Sequence, residues 1–186
     1  MNKMRNLIRS DLNRYKISSS IWSWGGYLYR FHRVLRTAQC TNSIIVKILC
    51  RLLLRHYRNS YGLEIPPEAQ IGKGLYLGHA FNITINSNVV IGENCNIHKG
   101  VVIGQENRGS RKGAPTIGNK VWIGINSAIV GRINIGDDVL IAPNSYVNCN
   151  VPSHSIVFGN PCIIKHSDNA TEGYINNTYE EDTSIC

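Results

Sequence analysis

Six histidines are the side chains of this sequence that can exchange a proton near neutral pH. His79 stands in Leu77-Gly78-His79-Ala80 and His98 in Asn96-Ile97-His98, each shortly after an aliphatic residue. His32, His56, His154 and His166 have no constellation around them and read as solvent-facing or packing residues. A histidine base turns a hydroxyl, otherwise a poor nucleophile, into an attacking oxygen, and a carboxylate on the other ring nitrogen fixes the tautomer. Metal chemistry asks for three or four grouped ligands. This stretch offers only His79 and His98, so no metal is expected. Six cysteines show neither C-x-x-C spacing nor the density of a disulfide framework, which reads as free thiols in a reducing cytoplasm.

The elements that position these histidines follow from a period of six. Aliphatic residues recur at Ile71 and Leu77, then at Ile85, Ile91, Ile97 and Ile103, then at Ile117, Ile123, Ile129, Ile135, Ile141 and Val147. A chain that turns a corner every six residues points each of these inward, and three hexapeptides close one coil. An amphipathic helix would repeat at three and four instead, and its many glycines would each cost about 1 kcal/mol. Gly72, Gly92, Asn94, Gly118, Asn119 and Gly136 are expected to supply corners of positive φ. The repeat is interrupted twice, by a two-residue slip between Leu77 and Ile85 and by Gln105 to Thr116. Insertions in a solenoid mark loops on a functional face, and the first follows His79 directly.

GLEIPPEAQIGKGLYLGHAFNITIN, VVIGENCNIHKGVVIG, PTIGNKVWIGINSAIVG and VPSHSIVFGNP together resemble the hexapeptide-repeat acyltransferases, in the serine acetyltransferase branch that includes surface-polysaccharide O-acetyltransferases. The resemblance covers about residues 61 to 165. It implies a left-handed parallel β-helix, a homotrimer with active sites between subunits, and acetyl-CoA lying along the coils as co-substrate. It matches the catalytic base to His79, the acid orienting it to Glu64, and an oxyanion donor to the region of Gly104. CoA-binding positions match Gly104, Gly124, Ile125, Ala142 and Pro143, with Arg111 and Lys165 placed to meet phosphates.

Serine acetyltransferases carry an Asp just before the catalytic histidine and a second His before the Pro of the inserted loop. Gly78 and Ala114 stand there instead. Losing polar groups that grip a small zwitterion weakens discrimination for it. The expected acceptor is therefore a hydroxyl of a saccharide or surface-polysaccharide precursor, bounded by Gly78, His98 and Ala114. Serine O-acetylation in cysteine biosynthesis is the alternative, and a non-catalytic trimeric scaffold the third reading.

The net charge of +8 is segregated, because residues 1 to 60 hold 12 Lys and Arg against Asp11 alone. No recognition motif accompanies that charge, so nucleic acid is not expected. This region reads as helices over roughly Asn2 to Tyr15, Ile21 to Thr37 and Thr41 to Arg58, with Ser20 and Thr41 as caps. Its apolar run from Ile44 to Leu54 holds Lys47 and Arg51 and falls short of the ~20 residues of a membrane span. A helical cap on the open end of the β-helix is preferred, and peripheral membrane contact through residues 1 to 60 is compatible with it. The polar, acidic segment 166 to 186 is expected to be mobile.

Overall fold

The computed structural model describes residues 2–15 and 25–180. Three helices, α1 (Asn2–Asn13), α2 (Gly25–Cys40) and α3 (Ile44–Tyr61), precede fifteen short strands. The cap of α3 is Ser43 rather than Thr41: its hydroxyl accepts the Val46 N–H at 3.5 Å, while Thr41 Oγ1 accepts the N–H of Ser43. Ser20 lies outside the described residues. Gly62, at φ 64°, ends α3 by donating its N–H to Arg58 O.

The strands form a parallel β-helix of about five coils, the fold class that the hexapeptide period predicts. One face, here A, stacks β1 (Leu63–Glu64), β4 (Ile83–Ile85), β7 (Val102–Gly104), β10 (Ala128–Val130) and β13 (Tyr146–Val147). Face B stacks β2 (Gln70–Ile71), β5 (Val90–Ile91), β8 (Thr116–Ile117) and β11 (Asn134–Ile135). Face C stacks β3 (Tyr76–Gly78), β6 (Asn96–His98), β9 (Trp122–Ile123), β12 (Val139–Ile141) and β14 (Ser155–Phe158), and β15 (Ile163–His166) closes it antiparallel. The register stacks like on like, with Leu77 over Ile97, Ile123, Ile141 and Val157 and Ile85 over Ile103, Ile129 and Val147. These side chains are almost wholly buried and form the apolar column of the core.

Of the six residues expected at corners of positive φ, only Asn94 has it; Gly74, Lys120, Asp138 and His154 take the other B-to-C corners. Gly72, Gly92, Gly118 and Gly136 serve close stacking instead. A Cβ on Gly72 would lie 2.6 Å from the carbonyl oxygen of Gly92, and one on Gly92 2.5 Å from that of Gly118.

The helices join the first coils through a buried polar cluster. Asp11, the acid isolated among the basic residues of the N-terminal region, is fully buried between His32 Nδ1 (3.1 Å) and Arg36 Nε (2.7 Å). Arg36 also donates to the carbonyls of Ile71 and Gly72, both at 2.7 Å, and Asp11 Oδ1 accepts the N–H of Leu75 at 2.9 Å. His32 Nε2 meets Tyr15 Oη at 3.0 Å, and that oxygen accepts the N–H of Leu77 at 2.7 Å. His32 is thus a linking residue in a specific network. Burial raises the Asp11 carboxyl, but the His32 and Arg36 partners outweigh it and hold the value below the ordinary one.

Residues 167–180, expected to be mobile, are tied down. Asp138 accepts from the N–H groups of Ala170 and Thr171 and from the Thr171 hydroxyl, and Asn94 exchanges hydrogen bonds with the Tyr179 backbone. The composition of this segment is mostly polar, and beside the buried Ala170 the solenoid holds it through side-chain acceptors and donors. None of the described helices is long and apolar enough to cross a membrane.

Candidate active site at a solenoid corner

The corner from face C to face A differs from coil to coil. In three coils it turns on a single residue of positive φ, namely Gly100, Asn126 and Asn144. In the coil of His79, the two-residue insertion gives two, His79 at φ 50° and Asn82 at φ 54°. A residue other than glycine is strained in this region, and such strain persists only where the surroundings impose it. They do so from several directions. Tyr27 Oη of α2 donates to Ala80 O at 3.1 Å, Asn82 N donates to Tyr61 O at 2.9 Å, and Gly78 O and Phe81 O accept the N–H groups of Lys99 and Gly100. The His79 ring itself is exposed.

His98 stands beside it in register with Gly78. Its Nδ1 lies 2.9 Å from Ile123 O, which requires that nitrogen to carry the proton and leaves Nε2 as an acceptor. The ring is half-buried against Trp122, with centroids 4.6 Å apart, and Trp122 in turn packs on Tyr174. Burial lowers the His98 value, against the pull of the Ile123 bond, and the nearby His79 lowers it further.

Glu64 does not meet His79 in the single chain. Its carboxylate is half exposed and lies 3.9 Å from Arg58 Nη1, on the strand paired with Ile83–Thr84 just past the corner. Gly124, Ile125, Ala142 and Pro143 fall on the same C-to-A edge as His79, two and three coils further along. Gly104, Arg111 and Ala114 lie at the other edge of face A. There Gln105 to Thr116 folds back through Glu106 and Gly113, and Arg111 Nε pairs with Glu106 at 3.1 Å. A face of some five residues separates the two edges by roughly 17 Å. Lys165 lies over the Phe158 ring on face C. Among the described residues no three His, Cys, Asp or Glu side chains group as a metal site. A groove of about 420 Å³ runs between α3 and the first coil, away from His79.

Sequence reasoning missed Tyr27, Trp122 and the exposed Phe81 beside His79. Trp122 was within reach, since the hexapeptide register places it one coil on from Asn96 and diagonal to His98. Tyr27 has no local signal, because its partner is 53 residues away.

The corner geometry and the coils define a β-helix of the hexapeptide class, and similarity to known proteins agrees. The family model for bacterial transferase hexapeptide (six repeats) matches residues 114–149. A serine acetyltransferase of Synechococcus elongatus is 35% identical over 114 residues, 61% of this chain and 47% of that protein. Serine acetyltransferase 4 of Arabidopsis thaliana is 32% identical over 171 residues, 85% of this chain and 46% of the relative. The chain therefore spans about half the length of these relatives. Among solved structures, Neisseria gonorrhoeae serine acetyltransferase in complex with serine superposes with a TM-score of 0.72 at 28% identity, covering 88% of this chain and 69% of that one. The soybean serine acetyltransferase apoenzyme gives 0.75 at 25% identity, covering 89% and 70%. The repeat, the fold and these relatives are consistent with the hexapeptide-repeat acyltransferase superfamily.

These relatives overturn the saccharide acceptor expected from Gly78 and Ala114, because they are serine acetyltransferases. The structure gives the physical reason. A small residue at 78 does not open a larger pocket: a Cβ there would lie 2.3 Å from Cδ2 of His98, whose ring fills the space. Ala114 packs against the core instead of lining an opening beside His79.

Proposed function

We propose that the chain is a serine O-acetyltransferase that moves acetyl from acetyl-CoA to the hydroxyl of L-serine. The observation that carries this reading is the run of serine acetyltransferase relatives; His79, which the motif resemblance assigns as base, stands at a corner with two residues of positive φ. His79 takes the proton from the serine hydroxyl as its oxygen attacks the thioester carbonyl. Backbone N–H groups near Gly104 hold the oxyanion; its collapse expels the CoA thiolate, which takes the proton from His79. Glu64, exposed and one corner away, turns from Arg58 to orient the imidazole.

The separation of His79 from Gly104, Arg111 and Ala114 across face A supports a homotrimer, in which one subunit's corner faces the inserted loop of the next. Gly124, Ile125, Ala142 and Pro143 then form the small-residue edge along which CoA lies, with Arg111 and Lys165 near its phosphates, in the cytoplasm.

Free-thiol release from acetyl-CoA tests the reading. L-serine supports turnover, and His79→Ala lowers it about 10²- to 10⁴-fold while the chain stays folded. Absence of turnover with serine, while acetyl-CoA still raises the thermal midpoint, would overturn the acceptor and keep the CoA site.

A further inference from the structure

Helix α3 buries only Cys50, Leu54 and Tyr57, a stripe one residue wide. Ile44, Ile45, Ile48, Leu49, Leu52 and Leu53 are 49–72% exposed. At 3.6 residues per turn these six sweep roughly half the helix circumference. Lys47, Arg51, Arg55 and Arg58 follow at spacings of three and four, so they form a row between the buried stripe and the aliphatic arc, and all are exposed. No acid occurs in α3.

We propose that this face of α3 docks on an anionic membrane surface, with the aliphatic arc entering the headgroup boundary and the basic row meeting lipid phosphates. An apolar arc of this width costs free energy in water, so a partner that removes it from water is favoured. Charge selects the kind of partner. A second copy of the same face would set its Lys47 and Arg55 against their like with no α3 carboxylate to pair them, and the carboxylates nearby, Glu68 and Glu64, already partner Arg51 and Arg58. Anionic lipid meets the arc and the row together, and polybasic segments gain about 1 kcal/mol per Lys or Arg at such a surface. The net +11 of residues 1 to 60 reinforces that attraction. Four cations within the helix keep it lying on the surface.

Sedimentation of the full chain with vesicles decides the matter. Mixed phosphatidylglycerol and phosphatidylcholine vesicles should carry down at least about tenfold more protein than phosphatidylcholine alone, falling with added salt. The variant Ile45→Glu/Leu49→Glu/Leu52→Glu, altered only at exposed positions, should stay folded by circular dichroism and lose the binding. Lys47→Glu/Arg55→Glu should lose the preference for anionic lipid. Hydrogen exchange on vesicles should be slowed along one face of residues 44–55. Equal recovery with both vesicle types, or none with either, overturns the proposal. So does wild-type assembly in solution that the triple variant breaks down without any vesicle binding, which would assign the face to a second copy.

Discussion

The β-helix and the helices beside it are held by opposite kinds of contact. In the coils, residues six apart point the same way and meet their own kind one coil on, as Ile97, Ile123 and Ile141 do. Their stabilisation is non-directional and spread along the column. At the junction with α1 and α2 the anchors are charged and polar, and each bond is specific. Arg36 reaches Asp11 and two carbonyls of the first coil, while Arg14 reaches Gly74 O and Asn96 Oδ1. An apolar column tolerates exchange of one aliphatic for another of similar volume. A buried ionic junction does not tolerate the loss of a partner, because the charge left behind remains out of water.

Removing one member from each region breaks the comparison most directly. Asp11→Ala leaves Arg36 and His32 buried without their carboxylate and should cost about 3–5 kcal/mol by chemical denaturation. Hydrogen exchange should rise first in α1 and α2 while the later coils stay protected. Ile123→Ala, in the middle of the column, should cost about 3 kcal/mol through lost burial and the cavity left behind. Its exchange should rise in β6, β9 and β12, with α1 and α2 still docked. Uniform loss of protection in both variants would mean that the two regions unfold as one unit.

The same contrast explains what was legible in the sequence. The period of six gave the coils, the corner insertion after His79 and the loop at Gln105 to Thr116, because each depends on residues close in the chain. The helices themselves were legible within a few residues. Their docking was not, since Asp11 and His32 reach partners 17 to 64 residues away and His32 carries no local mark of its role. The candidate site divides the same way. His79 stands out by motif and by slip, whereas the filling of Gly78 by His98 depends on two coils stacking in register. At residue 78 the sequence shows only a missing carboxylate, and the neighbour that occupies its space comes from the next coil.

That coupling gives the next test. Gly78→Asp forces a side chain into a ring held by Ile123 O and Trp122, and should cost about 1–3 kcal/mol by overpacking. His98→Ala combined with it should restore most of the loss, so that the two changes are strongly non-additive. In the serine-dependent assay the double variant should lower KM for serine more than it changes kcat, since a carboxylate beside His79 contacts the ammonium group and not the reacting oxygen. Additive costs would mean that the His98 ring does not hold the space at Gly78.

The smallest effect concerns the C-terminal segment, where polar anchoring can be tuned by pH alone. Burial raises the Asp138 carboxyl, but the Thr171, His154 and Ala170 bonds it accepts outweigh that and lower it overall. Its contribution is present above the free-aspartate value of ~3.9 and is lost as pH falls through the lower folded value. His154 is raised, chiefly by its bond to Asp138 at 3.0 Å. Its contribution is full below the free-histidine value of ~6.5 and fades as pH rises through the folded value. Protection of residues 169–175, corrected for intrinsic exchange, should therefore be greatest between those values, decline slightly toward alkaline pH and collapse in acid. His154→Gln should remove the alkaline decline and leave the acid one, because Asp138 still holds Ala170 and Thr171. An alkaline decline that survives in His154→Gln would assign it to another group and leave Asp138 as the titrating anchor of the segment.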